Sequence, residues 1–326
     1  MRSHATSAAV AVALLFCVGL GVTARSQGPQ TTVPPPAQPL IAQLWVAPGP
    51  VPRDLYLGVG GAKYMPSREV GYQLKGKDVT GFSESYDVVG PDGVEWSAKI
   101  GPEAQTEVVL SRVLWGLGYH QPPICYLSTW TLAGGGVAAH QEPEARFRPK
   151  LAELTREKEF WKWSENPFSG TRELRGLLVI MLMLNSTDLK DDNNSVYSLR
   201  EPWDGAARWF VVRDVGAALG ETGKLFPLRN WLEGFEKQGF ITKIAGDINQ
   251  AGGVEFDYDG RHQDLLKMIT PADVRWAAER MKLLTDEQWR DAFRAANYSD
   301  PLINRYLARI RLKIEDGLAL RARSPN

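Results

Sequence analysis

Three separated groups of charged residues contain the side chains from which a phosphate-handling site can be built. Lys99 lies within a predicted strand, and Glu107 follows it in a predicted helix. A lysine held beside an acidic helix offers a cation to phosphate groups, and the glutamate orients it. The second group is Asp188-Leu189-Lys190-Asp191-Asp192-Asn193, and the third is Asp214-Val215-Gly216. Carboxylate and amide oxygens in such groups can hold Mg²⁺ or Mn²⁺ on phosphates.

The first group needs a hairpin and a helix to position it. Residues 85–89 and 94–100 have strand composition and flank the turn Gly90-Pro91-Asp92-Gly93, which predicts a β-hairpin. A helix is predicted from Gly101 to about Leu117, because it has a proline near its start and apolar residues at helical spacing. Residues 124–127 predict a further short strand.

Both aspartate groups are predicted to lie in loops at the ends of buried elements. Residues 171–184 predict a core helix that is shorter than the roughly 20 residues of a membrane span. The loop 185–194 follows this helix directly, and strands are predicted at 196–198 and 208–212. Asp214 therefore comes directly after a strand.

In this order, the strand lysine, the helix glutamate, D-x-K-x-x-N and D-x-G resemble the protein-kinase-like superfamily over about residues 76–220. The resemblance implies that Asp188 is the catalytic aspartate and that Lys190 is the phosphate-contacting lysine. It implies that Asn193 and Asp214 are metal ligands. It also implies that Lys99 and Glu107 form the ion pair at the nucleotide. It also implies ATP and Mg²⁺ or Mn²⁺ as cofactors.

Several positions depart from typical protein kinases and look more like the atypical branches, namely lipid-kinase-like, HipA-like and secreted casein-kinase-type enzymes. Ser186-Thr187 stand where typical members have His-Arg, and Val215 stands where they have Phe. The chain has no A-P-E segment. The spacing from Lys99 to Glu107 is also short, which leaves Glu103 open as the partner of the lysine.

The phosphate loop also departs from the typical pattern, because no G-x-G-x-x-G precedes the strand lysine. The candidate loop is Thr80-Gly81-Phe82-Ser83. Gly81 lets the backbone approach a phosphate, and the Ser83 hydroxyl can donate a hydrogen bond to it. The glycine-rich segment at residues 58–63 lacks the G-K-[ST] ending of a Walker loop, so it is interpreted as an ordinary loop.

The predicted fold class is α+β, with a two-lobed kinase-like fold. A small β-rich N-lobe is expected at residues 55–132 and a larger, mainly helical C-lobe at 133–326, with amphipathic helices from Pro271 onward. Residues 1–24 predict a signal peptide, because a short apolar run precedes a small-residue cleavage site. Residues 25–54 predict a Pro/Gln-rich linker. We therefore expect an exported protein, secreted or periplasmic, with no membrane span in the mature chain. The sequence also resembles exported bacterial proteins.

Composition excludes several other classes of protein. The 326 residues contain 38 Lys plus Arg and 38 Asp plus Glu, so the formal net charge is zero and a broad nucleic-acid binder is not expected. Four histidines and two cysteines are too few and too widely spaced for a zinc cluster or a disulfide framework. His120 and His140 are expected to be structural or surface residues, and Cys125 a buried, inert thiol.

The favoured function is an exported atypical kinase-like enzyme that binds ATP with Mg²⁺ or Mn²⁺ and transfers phosphoryl, or another part of the nucleotide, to an unknown acceptor. One alternative is a catalytically silent kinase-like binding module of the cell envelope. Another is a structural or interaction protein with an unrelated α+β fold, in which Lys99, Asp188 and Asp214 do not converge. In that case the acidic loop is a solvated turn and Lys99 an edge-strand lysine.

Overall fold

The computed structural model describes residues 38–79, 83–222, 229–244 and 253–320, and all of these belong to one compact unit. The helices are α1 (Gln38–Ile41), α2 (Ala104–Gly116), α3 (Arg172–Met183), α4 (Leu232–Lys237), α5 (Gln263–Leu266), α6 (Pro271–Lys282), α7 (Asp286–Arg294) and α8 (Asp300–Ala319). The strands are β1 (Gly71–Asp78), β2 (Ser85–Val89), β3 (Glu95–Ile100), β4 (Cys125–Leu127), β5 (Trp130–Gly134), β6 (Val137–Glu142), β7 (Ala145–Pro149), β8 (Leu154–Arg156), β9 (Asn194–Trp203), β10 (Ala206–Val212), β11 (Ile241–Ile244) and β12 (Val254–Phe256).

Seven strands form a large sheet in the order β4-β7-β3-β2-β1-β5-β6, antiparallel except for the parallel pair β1 and β5. The predicted hairpin is confirmed, because β2 and β3 pair antiparallel with Ser85 opposite Lys99. Its turn is closed by the Gly90 amide, which donates to the Val94 carbonyl at 2.9 Å. The boundary expected at Leu132 lies within β5, and the sheet continues to Pro149.

The two faces of this sheet have opposite character, because side chains alternate along each strand. One face packs an aromatic core of Tyr72, Tyr86, Trp96, Trp130 and Phe147. The other face carries Lys99 on β3 and, on the adjacent β7, Arg146 and Arg148, and α2 packs against β7. The alternation therefore separates an apolar core face from a charged face.

The remainder of the described residues mixes helices with short strands. The predicted buried helix is confirmed as α3, whose N-terminus is capped by the Thr171 side chain accepting the Leu174 amide at 3.2 Å. The amphipathic helices predicted beyond Pro271 are confirmed as α6, α7 and α8, and α6 packs against both α3 and α8. The strand pair β9 and β10 is longer than predicted, and β8 joins it. This part of the chain is therefore less purely helical than expected.

The segment before residue 55 contributes to the same core. Ile41 and Leu44 are buried in it, although they fall in the segment predicted as a linker. The Trp45 indole donates to the Leu117 carbonyl at 2.8 Å, which attaches this segment to the end of α2. Residues 1–24, predicted as a signal peptide, lie outside the described residues. Among the residues that are described, no helix combines the length and the apolar character that crossing a membrane requires.

Candidate functional site

Lys99 is surrounded by three carboxylates that come from two different parts of the chain. Gly101, with a φ of 128°, turns the chain from β3 toward α2, which begins beside the lysine. The Lys99 ammonium lies 2.9 Å from Glu103 Oε2, 3.6 Å from Glu107 Oε2 and 3.7 Å from Asp214 Oδ1. Both glutamates that the sequence left open as its partner therefore contact the lysine, with Glu103 the closer.

These carboxylates decide the charge state of Lys99. Burial by itself lowers the pKa of the ammonium, but Glu107, Glu103 and Asp214 outweigh burial and raise the pKa above its ordinary value. The lysine is therefore a fixed cation at neutral pH. The same three carboxylates hold the ammonium in position and compensate for the cost of burying its charge.

Glu107 is the most enclosed acidic group of the site, with a side chain that is 1% exposed. The Arg148 guanidinium lies 2.7 Å from its Oε1, and Arg146 Nε lies 3.2 Å from the same oxygen. Burial opposes ionisation of this carboxyl, but Arg146, Lys99 and Arg148 together hold its pKa well below the ordinary value. Glu107 is therefore the centre of a buried ionic cluster, and it pairs with Lys99 as one member of that cluster.

Arg146 and Arg148 are members of this cluster that the sequence reasoning missed. Their signal was the alternation Arg146-Phe147-Arg148, which within a strand places both guanidinium groups on one face. The neighbouring strand β3 presents Lys99 on that face, directly opposite Arg146 in the register.

The loop after α3 brings the second group of residues together. The Asn193 side-chain amide donates to the Asp188 carbonyl at 2.9 Å and lies 3.4 Å from Asp188 Oδ2. The Lys190 ammonium lies 2.9 Å from the same carboxylate oxygen. The three residues that the resemblance singled out in this loop therefore contact one another.

This loop is supported from behind by a buried lysine. Asn185, at a φ of 51°, donates to the Gly220 carbonyl at 2.7 Å and to Gln238 Oε1 at 3.0 Å. The Lys313 ammonium of α8 donates to Asn185 Oδ1 at 2.6 Å and to the Met183 carbonyl at 3.1 Å. Lys313 is 0% exposed, and burial lowers its pKa well below the ordinary value. Helix α8 thereby fixes the start of the Asp188 loop.

The third group lies directly after β10 and packs against the start of α2. Asp214 adopts the left-handed region, with a φ of 51°. Two residues later, a Cβ added to Gly216 would lie 2.7 Å from the backbone carbonyl oxygen of Glu103. This close approach requires glycine, and it places the Asp214 carboxylate beside Lys99.

One cavity of about 560 Å³ unites the three groups. Six of the eight predicted site residues line it: Ser83, Lys99, Asp188, Lys190, Asn193 and Asp214. Glu107 lies behind Lys99 in the buried cluster, and Gly81 lies outside the described residues. In an unrelated fold, Lys99, Asp188 and Asp214 were expected to lie apart. In the structure, all three line one cavity.

The cavity also contains unused hydrogen-bonding capacity. Ser83 Oγ is buried and has no hydrogen-bond partner among the described residues. Arg229 forms an ion pair with Glu103 at the cavity wall, and Arg213 lines the cavity beside Asp214. The sequence reasoning did not predict either arginine. Arg213 directly precedes Asp214 in the chain, whereas Arg229 becomes part of the site through its contact with the distant Glu103.

The cavity offers few donors for a metal ion. Within residues 38–79, 83–222, 229–244 and 253–320, no group of three or more His, Cys, Asp or Glu side chains can hold one. Asp214 and Asn193 contribute a carboxylate and an amide oxygen to the cavity. Such a pair suits Mg²⁺, which commonly takes one or two carboxylates from the protein and its other ligands from phosphates and water.

The remaining candidate residues have structural or surface positions, as expected. His120 is 2% exposed and stacks on Trp209 with ring centroids 4.7 Å apart. His140 is exposed on β6. Cys125 is buried, and burial raises the pKa of its thiol, which keeps it unreactive.

Comparison with known proteins gives little beyond these observations. No protein-family model and no curated protein matches the chain. Among solved structures, the chain is similar to the Helicobacter pylori proinflammatory kinase CtkA, at 8% sequence identity and a TM-score of 0.36. The match covers 78% of this chain and 99% of the kinase. A TM-score at this level does not establish a common fold.

Proposed function

We propose that the chain is an atypical kinase-like enzyme that binds ATP with Mg²⁺ or Mn²⁺ and transfers the terminal phosphoryl group to an acceptor. The observation that carries this proposal is the convergence of Lys99, Asp188, Asn193 and Asp214 on one cavity. If the chain has the two lobes of a kinase-like fold, the large sheet together with α2 forms the smaller lobe. The elements after Pro149 form the larger lobe.

Binding of the phosphates is assigned to the cations of the cavity. Lys99 stays charged because of its carboxylate partners, and Glu103 and Glu107 fix its ammonium in place. The buried Ser83 hydroxyl is available to donate to a phosphate oxygen. Positive charge and fixed donors of this kind stabilise the charge that moves between phosphate oxygens during transfer.

Asn193 and Asp214 would hold the metal ion. When bound, the metal ion neutralises charge on the phosphates. Asp214 has a well-defined position for this role, because the Gly216 turn packs against Glu103. Asn193 is fixed by donating its side-chain amide to the Asp188 carbonyl.

Transfer of the phosphoryl group is assigned to Asp188 and Lys190. An acceptor hydroxyl oxygen forms a bond to the terminal phosphorus, while the bond from that phosphorus to the ADP oxygen breaks. The acceptor proton passes to the Asp188 carboxylate, and Lys190, which lies 2.9 Å from that carboxylate, contacts the transferred phosphoryl oxygens.

Nucleotide binding is tested by calorimetric titration of ATP with Mg²⁺, with Mn²⁺ and without metal. We expect metal-dependent binding that Asp214→Ala weakens at least about tenfold, since a charged ligand to the metal is lost. Asp192→Ala is the matched control, because Asp192 is an exposed carboxylate of the other loop. The proposal fails if neither metal supports ATP binding, or if Asp214→Ala binds as tightly as the unaltered chain.

Transfer is tested with ATP labelled at the terminal phosphate, following label released to water or attached to protein. Asp188→Asn is expected to bind metal and ATP normally and to lose transfer about 100-fold or more, because general base catalysis is removed. Normal transfer by Asp188→Asn contradicts the role assigned to this residue. ATP binding without transfer by the unaltered chain would support the silent binding module instead.

We also propose that the protein is exported, from the composition of residues 1–24. Expression of the full sequence in a bacterium, followed by fractionation and N-terminal sequencing, is expected to yield a periplasmic or secreted chain beginning at Arg25. A cytoplasmic chain that retains residues 1–24 would contradict export.

A further inference from the structure

A second cavity, also of about 560 Å³, adjoins the first. The two share Asp87, Ser97 and Arg213 as lining residues. We name the second one the arginine cavity, because Arg148, Arg156 and Arg213 line it. None of these three arginines has been given a part in phosphoryl transfer above.

The charge on the walls of the arginine cavity is unbalanced. Four cationic side chains line it, namely the three arginines and Lys150. Asp87 is the acidic residue of the lining. Asp87 is already paired with Lys150 at 2.8 Å. Glu107 compensates Arg148 from outside the lining. Arg156 and Arg213 are left without a carboxylate within 4.0 Å among the described residues.

Arg213 has hydrogen-bond donors that the described residues leave unsatisfied. Its Nε is buried and has no hydrogen-bond partner among the described residues, and its Nη1 reaches Ser195 Oγ only at 3.5 Å. The guanidinium group of an arginine is charged at neutral pH. A charge held away from water is costly unless an opposite charge or strong acceptors compensate it.

Arg148 and Arg156 also have guanidinium groups that could bind an anion in this cavity. Arg148 Nε is buried and unpartnered in the described part of the chain, although the end of its guanidinium pairs with Glu107. Arg156 is exposed, so an anion can approach it from solvent. Pro122, Leu154 and Tyr197 form apolar parts of the wall, which strengthen a charged contact by excluding water.

We propose that the arginine cavity binds a phosphate group, as inorganic phosphate or as the phosphate of a small phosphate monoester. A phosphate offers several acceptor oxygens and up to two negative charges to the three guanidinium groups, whose planar donors match it. This position is separate from the phosphates assigned to Lys99. The proposal does not depend on phosphoryl transfer.

The test is a calorimetric titration with inorganic phosphate and with glycerol 3-phosphate, without nucleotide or metal. Arg156→Gln and Arg213→Gln remove one charge each from the arginine cavity. Arg200→Gln is the matched control, because Arg200 is exposed on β9 and does not line this cavity. Lys77→Met reports any binding in the first cavity, because Lys77 lines that cavity and not the arginine cavity.

We expect at least one of the two phosphate compounds to bind, and Arg156→Gln and Arg213→Gln each to weaken binding about tenfold or more. Arg200→Gln and Lys77→Met should bind as the unaltered chain does. Tighter binding of glycerol 3-phosphate identifies a phosphate monoester as the ligand, and tighter binding of inorganic phosphate identifies the free ion. Arg156→Gln keeps the test decisive if Arg213→Gln does not fold.

Three results would overturn the proposal: no binding of either compound, binding unchanged by Arg156→Gln, or binding lost in Lys77→Met alone. Failure here is distinguishable from failure of the proposed enzyme activity. Asp214→Ala is expected to lose metal-dependent ATP binding while it retains phosphate binding in the arginine cavity.

Discussion

At the scale of single residues, Glu107 is the centre of the buried ionic cluster beside the cavity. Its carboxylate contacts Lys99, Arg146 and Arg148 from positions inside the protein. Because the three cations are buried around one anion, removing the anion costs more than the contacts alone suggest. The penalty comes from charges that have lost their counter-charge and cannot reach water.

We therefore expect Glu107→Gln to destabilise the protein by about 3–5 kcal/mol. Urea unfolding followed by circular dichroism measures this change. Glu95→Gln is the matched control, because Glu95 is an exposed carboxylate on β3, and its effect should stay within about 0.5 kcal/mol. Equal stability of the two variants would show that the cluster around Glu107 contributes little.

At this scale, Asp188, Asn193 and Asp214 could be predicted from the sequence, whereas Arg213 and Arg229 could not. Asp188, Asn193 and Asp214 fall within short patterns, and each pattern follows a buried element that the sequence also indicates. Arg213 directly precedes the D-x-G pattern, but that pattern specifies no arginine, and Arg229 lies in no such pattern. Arg229 becomes part of the site by pairing with Glu103, which is far from it in sequence.

At the scale of the elements, the turn after β10 packs closely against the start of α2. Gly216 lies against the backbone of Glu103, so the position of Asp214 depends on the start of α2. The same contact brings Lys99, Glu103 and Asp214 into one group.

Gly216→Ala is expected to destabilise the chain by about 1–3 kcal/mol, because its Cβ would overlap backbone atoms that cannot move freely. Under the proposed function it also weakens metal-dependent ATP binding by displacing Asp214. Thermal unfolding and ATP calorimetry measure the two effects. Gly49→Ala is the control, since its Cβ meets nothing within 4 Å. Unchanged ATP affinity in Gly216→Ala would separate this turn from the site.

Elements with local signals were predicted well, and elements defined by distant pairing were not. The hairpin β2–β3 and the helices α3, α6, α7 and α8 have turn, capping or periodicity signals within their own residues. Strand β1 pairs with β5, which begins more than 50 residues later, and the sequence between them gives no sign of this parallel pair. The extent of the large sheet therefore required the structure.

At the scale of the whole molecule, His120 helps attach the segment before residue 55 to the rest of the fold. Its Nε2–H donates to the Ala42 carbonyl at 2.7 Å, and the Phe210 amide donates to the Gln43 carbonyl at 2.8 Å. Burial lowers the pKa of His120 from 6.5 to about 4. The folded state therefore favours the neutral ring, whereas the unfolded chain takes up a proton near pH 6.5.

The contribution of His120 to stability is full above pH 6.5 and declines as the pH falls toward 4. From the two pKa values we expect a loss of about 2 kcal/mol between pH 7.5 and pH 5. Urea unfolding at these two pH values measures it. His120→Gln should reduce the difference by about that amount, and an equally steep pH dependence in the variant would assign it to other groups.

The contact between Lys313 and Asn185 determines when during biosynthesis the cavity can be completed. Lys313 is synthesised more than 120 residues after Asn185, yet it supports the loop that carries Asp188. A nascent chain that has already produced Asp188 and Asp214 still lacks this support until α8 has emerged from the ribosome. The site is therefore completed late in biosynthesis. For a chain exported before it folds, completion of the cavity would follow translocation.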